Sequence, residues 1–153
     1  MIAFIPIFIG AMMLMVPLGC SDPTIPKVND RALPKANSKL LDPNGNFMLY
    51  VSNQSFEINP VDVRVTIDGE LVVSDDFRVG TQHTFVPFTL SLSEERHQVH
   101  IWSEKGDAEL SKEFELKDHD VGVITFWYYP KSHYTPTPPK FDFHTQKGPF
   151  AIH

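Results

Sequence analysis

Apolar and polar residues alternate with a period of two along much of the chain between residues 47 and 129. In the clearest segment, β-branched apolar residues occupy every second position: Val61, Val63, Val65 and Ile67. Successive side chains of a strand point to opposite faces, so this pattern indicates a strand with one buried and one wet face. The dipeptide Asp68-Gly69 follows directly and is typical of a tight turn. A β-hairpin around Asp68-Gly69 is therefore predicted.

Six further segments have the length and composition of strands, and turn-forming residues separate them at short intervals. They are 47–51, 71–73, 85–92, 97–103, 108–116 and 121–129. None of this part of the chain shows apolar residues at helical spacing. About seven strands without an amphipathic helix predict an all-β fold, a single antiparallel β-sandwich of immunoglobulin-like architecture.

The segment 121–129 departs from strict alternation, because both of its faces carry large apolar side chains. Such a strand is central in its sheet or is covered on both sides. Residues 131–153 come next and combine a proline-rich stretch with Phe141, Phe143 and Phe150. We expect this tail to fold back over the outer face of a sandwich formed by residues 46–130.

Residues 1–20 are uncharged and largely apolar, and they end at Cys20, the only cysteine of the chain. A run of this length suits a secretory signal, a lipoprotein signal or an uncleaved membrane anchor. Pro6 and Pro17 interrupt the run, which disfavours an uninterrupted spanning helix. The stretch that begins at Ser21 is polar and rich in proline, so it does not extend the membrane-compatible segment.

The end of the leader, Pro17-Leu18-Gly19-Cys20, places a small residue directly before the lone cysteine. This arrangement resembles the lipobox of bacterial lipoproteins, although Pro17 stands where that family usually has leucine. The resemblance implies cleavage before Cys20 and lipidation of its thiol. It gives a signal peptide at 1–19 and a proline-rich linker at 20–45 with lipidated Cys20. More weakly, the strands and turns after Pro60 resemble small bacterial surface modules of the PEGA kind.

The lipobox resemblance also implies a place for the protein: the cell membrane or the outer membrane, with the domain facing the periplasm or the exterior. The formal net charge of −6 lies entirely after residue 20, and no basic cluster accompanies it. This balance argues against a nucleic-acid partner and against electrostatic binding to anionic lipid. We expect the lipid anchor to hold the protein at the membrane. We expect its partner to be an envelope protein or a glycan.

Seven histidines are the candidate metal ligands that remain once Cys20 is acylated. His97 and His100 are three positions apart, which places them on opposite faces of a strand. No H-x-H or H-E-x-x-H spacing occurs, so scattered surface histidines are expected. No Gly-x-Ser-x-Gly motif positions a serine for attack. We therefore expect no metal, no cofactor and no catalysis.

Four residues are candidates for ligand binding: His100, Trp102, Trp127 and Tyr129. Within their respective strands, the first two share one side and the last two share another, and Trp102 is predicted to face solvent. Aromatic rings beside amides and carboxylates suit stacking on sugar rings. The alternative for Trp127 and the neighbouring tyrosines is packing in the core or under the tail, because large aromatic side chains are usually buried.

These observations lead to one expected function and one alternative. The expected function is that of a membrane-anchored envelope lipoprotein with a non-catalytic β-sandwich for interaction or structural support. The alternative is a carbohydrate-binding module that uses exposed aromatic residues.

Overall fold

A computed structural model describes residues 38–80, 84–117, 120–131 and 135–149. In chain order, its eight strands are β1 (Phe47–Asn53), β2 (Val61–Ile67), β3 (Glu70–Phe77), β4 (Val86–Leu90), β5 (Arg96–Ser103), β6 (Ala108–Glu115), β7 (Asp120–Tyr129) and β8 (Thr137–Lys147). They form two four-stranded sheets, ordered β4-β1-β7-β8 and β3-β2-β5-β6. The predicted all-β sandwich is confirmed. The leader, Cys20 and most of the linker lie outside the described residues.

The hydrophobic core lies between the two sheets, where alternate side chains of each strand meet. Its largest fully buried side chains come from both sheets: Phe47, Leu49, Ile67, Phe77, Ile101, Ile124 and Phe126. All four apolar residues of the alternating β2 segment are buried as well. Alternation along the chain therefore predicted correctly which side chains of β2 point inward.

The hairpin between β2 and β3 turns at Asp68 and Gly69, whose φ angles are 51° and 80°. Two consecutive positive φ values match the twist of paired strands, and glycine adopts the second without steric cost. The register of the pair shifts between Val65 and Thr66. A shift of this kind adds a residue to one strand, and here both Val72 and Val73 are buried.

β1 and β7 pair in parallel, from Met48 opposite Val121 to Asn53 opposite Phe126. The sequence predicted that antiparallel connections dominate, and this pair is an exception. A parallel pair requires the chain to cross over between its two strands, and here the crossover passes through the second sheet. β7 lies between β1 and β8, so of the two alternatives for the segment 121–129, the central strand is the one observed.

Residues 137–147 are not a covering tail, which corrects the expectation for 131–153. They form β8, which pairs antiparallel with β7 from Asp120 opposite Lys147 to Tyr129 opposite Thr137. Phe141 and Phe143 are only 4% and 5% exposed and belong to the core between the sheets. Pairing satisfies the backbone groups along the edge of β7 while it buries alternate apolar side chains, which a covering coil would not do. Phe150 lies outside the described residues.

The end of the predicted linker, residues 38–46, is bound to the edge of β4. Leu41 forms an isolated β-bridge with Leu90, and the Ser91 N–H donates to the Leu40 carbonyl at 2.8 Å. The Asn46 amide donates to the Leu92 carbonyl and accepts from the Leu92 N–H, at 2.8 and 2.9 Å. The chain therefore joins the sandwich where β1 starts. We call this the proximal end, and the end where β1 and β7 finish the distal end.

Candidate functional site

The four candidate binding residues lie on two different surfaces of the sandwich. His100 and Trp102 are on the outer face of the sheet β3-β2-β5-β6, because Ile101 between them points into the core. Trp127 and Tyr129 are on the outer face of the sheet β4-β1-β7-β8. The core separates the two pairs, so they do not form one site.

His100 and Trp102 stack on each other, and the imidazole of His100 is hydrogen-bonded to Glu109. Their rings stack with centroids 4.9 Å apart and planes 18° apart, and His100 Nε2 lies 2.7 Å from Glu109 Oε1. Trp102 is half-buried and lies opposite Glu109 in the strand register. Its outward orientation agrees with its phase in β5. One face of the indole is already covered by the imidazole.

Asp62 holds the turn beside this cluster. Its carboxylate accepts hydrogen bonds from Ser103 Oγ at 2.7 Å and from the N–H groups of Lys105 and Glu104 at 2.9 and 3.2 Å. Arg64 Nη1 also binds it at 3.0 Å. Burial raises the pKa of Asp62, but the hydrogen bonds from Ser103, Lys105 and Glu104 outweigh burial and lower the pKa below 3.8. Asp62 and Arg64 are therefore committed to the fold.

Trp127 and Tyr129 form a tilted pair with ring centroids 6.1 Å apart and planes 46° apart. Both are half-buried. Neither packs in the core, and it is Tyr128, between them, that packs against it. The Tyr129 hydroxyl donates to the Gln54 carbonyl at 2.6 Å, and Gln54 Nε2 donates to Ser52 Oγ at 2.6 Å. The Tyr129 ring is thereby anchored to the residue that directly follows β1.

β8 supplies a polar rim beside this pair. Lys140 lies opposite Trp127 in the register, and Asp142 lies opposite Thr125. Lys140 Nζ and Asp142 Oδ2 are 3.4 Å apart, and both side chains are about half exposed. We call the group Gln54, Thr125, Trp127, Tyr129, Lys140 and Asp142 the aromatic site.

The rim was not predicted, because the expectation of a covering tail at 131–153 gives no reason to place Lys140 and Asp142 beside Trp127. The available sequence feature was Phe141-Asp142-Phe143-His144, in which apolar residues alternate with polar ones. When this segment is treated as a strand paired with β7, the alternation directs Asp142 to the same outer face as Trp127.

Phe56 is exposed at the distal end, with 57% of its surface accessible. The loop that carries it is held by Asn53, whose Nδ2 donates to the carbonyls of Ile58 and Phe77 at 2.8 and 3.1 Å. Ser55 Oγ donates to the Tyr128 carbonyl at 2.9 Å, which joins the loop to the end of β7. An apolar side chain on so constrained a loop was not predicted, since the sequence indicated only a turn there.

His97 is buried, with 3% exposure, so the expectation of scattered surface histidines is wrong for this residue. Its Nδ1 lies 2.6 Å from Asp68 Oδ2, and its Nε2 lies 2.9 Å from the Ser93 carbonyl oxygen. Burial by itself lowers the pKa of His97. The hydrogen bonds to Asp68 and Ser93, with the charges of Asp68 and Glu95, outweigh burial and raise the pKa above 6.5.

A cleft of about 360 Å³ at the proximal end is lined by Met48, Thr89, Asp120, Val121 and Pro149 among others. Asp120 is its one titratable residue, and its Oδ2 accepts the Lys117 N–H at 3.0 Å. The cleft therefore offers a ligand one carboxylate that is already hydrogen-bonded.

The described residues show neither a metal-ligand cluster nor a helix suited to crossing a membrane. No group of three or more His, Cys, Asp and Glu side chains there is arranged to hold a metal ion. None of the described segments forms a helix with the length and apolarity that a membrane crossing requires. His119 and His133 lie outside the described residues.

No protein-family model matches the chain, and a comparison with curated proteins finds no similar sequence. Functional proposals for this protein therefore depend on its own leader and surfaces.

Proposed function

We propose that this protein is an envelope lipoprotein, held at the cell membrane or the outer membrane through acyl groups on Cys20. Its β-sandwich binds or supports an envelope component without catalysing a reaction. The observation that carries the proposal is the leader, an uncharged apolar run that ends in Leu18-Gly19-Cys20 and is followed by a polar, proline-rich linker. A single acyl chain binds a membrane only marginally, whereas the two or three chains of a lipoprotein hold it stably.

The attachment of the linker gives the point at which a tether from Cys20 reaches the sandwich. Residues 38–46 are bound to β4 at the proximal end, so the chain enters the domain there.

The first prediction concerns Cys20 and is tested in a bacterial host fed with labelled palmitate. The wild-type chain is expected to incorporate label, and its intact mass is expected to match a chain that begins at acylated Cys20. Cys20→Ser is expected to lose all incorporation and keep its leader, because a serine hydroxyl does not form the thioether. The matched control is Ser21→Ala, which leaves the thiol in place and is expected to retain the label.

Two results would contradict this proposal. A mature chain that begins at another residue and carries no acyl group indicates an ordinary secretory signal. An unprocessed chain that keeps residues 1–19 in the membrane fraction indicates an uncleaved anchor.

A further inference from the structure

We propose that the aromatic site binds a carbohydrate ring, with Trp127 and Tyr129 as the stacking surface and Lys140 and Asp142 as hydrogen-bonding partners of its hydroxyl groups. This inference rests on the proposed non-catalytic binding role of the sandwich and names the ligand class. Of the two aromatic pairs, it selects Trp127 and Tyr129, because this pair lies beside the half-exposed side chains of Lys140 and Asp142.

The stacking surface is formed by two rings on the same side of β7. Their centroids are 6.1 Å apart and their planes are tilted by 46°, so together they form a shallow, bent apolar surface. One side of a pyranose ring is lined by C–H groups and packs on the π-face of an aromatic ring. Tyrosine and tryptophan suit this contact because each combines a large apolar body with a polar group.

This surface is organised before any ligand arrives. The Tyr129 hydroxyl is committed to the Gln54 carbonyl at 2.6 Å, which leaves the ring rather than the hydroxyl to contact a ligand. The Gln54 backbone is in turn held by its N–H, which donates to the Phe126 carbonyl at 3.0 Å. Side chains that are ordered in the free protein lose little conformational entropy on binding, which favours affinity.

The rim favours a neutral, hydroxyl-rich ligand over a charged or a purely apolar one. Lys140 and Asp142 are 3.4 Å apart, so a donor and an acceptor stand side by side and their charges cancel. A sugar hydroxyl donates and accepts, and therefore matches both groups. A phosphate would meet the Asp142 carboxylate, and an apolar segment would strip water from both side chains without replacing its hydrogen bonds.

The Trp127 indole adds a further donor. Within the described part of the chain its N–H has no acceptor, and no buried side-chain nitrogen or oxygen there is left without a partner. The N–H is therefore not fully buried, and in the proposed site it donates to a ligand hydroxyl.

Trp102, the other tryptophan, differs in its surroundings and is therefore a matched control for Trp127. Trp102 is also half-buried on an outer face of the sandwich. However, His100 covers one face of its indole, with planes 18° apart, and Arg64, opposite it in the register, is bound to Asp62. Arg64 is thereby paired with a carboxylate that is only 10% exposed, whereas Lys140 and Asp142 are both about half exposed.

The experiment uses the full chain, purified in detergent, on an array of neutral oligosaccharides together with chitin, cellulose, xylan and peptidoglycan sacculi. The dissociation constant of the best binder is then measured. Trp127→Ala is expected to weaken binding about tenfold or more, and Trp102→Ala to change it by about twofold at most. Tyr129→Phe keeps the ring but loses its anchor to Gln54, so a smaller loss is expected. Thermal melts of each variant establish that it is folded.

Three outcomes would overturn the site. They are absence of binding to every probe, loss of binding in Trp102→Ala with retention in Trp127→Ala, and capture of an envelope protein through Trp127 without glycan binding. The state of Cys20 is measured separately by mass. An acylated Cys20 with no glycan binding rejects the aromatic site alone, and glycan binding by a chain without acyl groups rejects only the lipid anchor.

Discussion

Ending the chain after Pro136, which removes β8, is expected to abolish the cooperative unfolding transition rather than to lower its midpoint by a few degrees. β8 pairs with β7 along almost its whole length, and its loss turns a central strand into an edge. Phe141 and Phe143 also leave the core, where their ring centroids lie 5.3 Å from those of Phe126 and Phe114. Truncation of one buried phenylalanine costs about 3–5 kcal/mol, whereas a whole domain is stable by only about 5–15 kcal/mol.

The position of β8 at the side of the sandwich adds to this effect. Lys112 Nζ, from β6 in the opposite sheet, donates to the Phe143 carbonyl at 2.9 Å. A lysine at a sheet edge satisfies a backbone carbonyl and discourages pairing with another chain. Without β8, the edge of β7 is exposed, and we expect the truncated chain to aggregate on heating.

Single substitutions at adjacent positions of β8 provide the control. Phe143→Ala is expected to lower the free energy of unfolding by about 3–5 kcal/mol. The neighbouring His144→Ala is expected to change it by about 0.5 kcal/mol or less, because that side chain is exposed on the outer face. Chemical denaturation followed by tryptophan fluorescence measures both. A truncated chain that still melts cooperatively near the wild-type temperature would show that β8 is dispensable.

Stability is expected to fall as the pH rises through the pKa of His97. Both ring nitrogens face oxygen atoms that only accept hydrogen bonds, Asp68 Oδ2 at 2.6 Å and the Ser93 carbonyl at 2.9 Å. A neutral imidazole has a single N–H, so both contacts are satisfied only by the imidazolium form. The geometry therefore indicates a charged, buried histidine.

The sign of the pH dependence follows from the direction of the pKa shift. Burial by itself lowers the pKa of His97 in the folded chain. The hydrogen bonds to Asp68 and Ser93, together with the negative charges of Asp68 and Glu95, outweigh burial and raise the pKa above 6.5, its ordinary value. Below pH 6.5 the ring is protonated in both states, and the stabilisation is fully present. It is lost as the pH rises through the folded pKa, because only the folded state then holds the proton. The aromatic neighbour Phe114, whose centroid is 5.4 Å away, carries no charge.

The measurement is the free energy of unfolding between about pH 6 and pH 9, the range in which a raised histidine pKa is titrated. The charge-assisted contact is worth about 1.5–3 kcal/mol, so His97→Gln is expected to lose about this amount at pH 6 and to flatten the profile. The control is His144→Gln, a substitution at an exposed position of β8 that leaves the Asp68 and Ser93 contacts of His97 in place and is expected to keep the fall in stability. A wild-type profile that is flat or rises with pH over this range would rule out the charged His97.

The polarity pattern alone determined that β2 is a strand with Val61–Ile67 directed alternately inward, and that Asp68-Gly69 turns it into β3. It also placed His97 on the same side as Val99 and Ile101, because side-chain direction in a strand depends only on phase. These features are local, and residues a few positions apart suffice to specify them. The leader is similar, since the expectation for Cys20 depends only on the residues next to it.

Tertiary structure alone decided which strands become neighbours. The parallel pairing of β1 with β7 and the addition of β8 to β7 join segments that no local pattern connects. The same is true of the partner of His97, since Asp68 is 29 positions away in the chain. Pairing also assigned Trp102 and Trp127 to opposite outer faces and brought Lys140 and Asp142 beside Trp127. Alternation shows which way a side chain points from its own strand, but the sheet that a strand joins is set by long-range burial and hydrogen bonding.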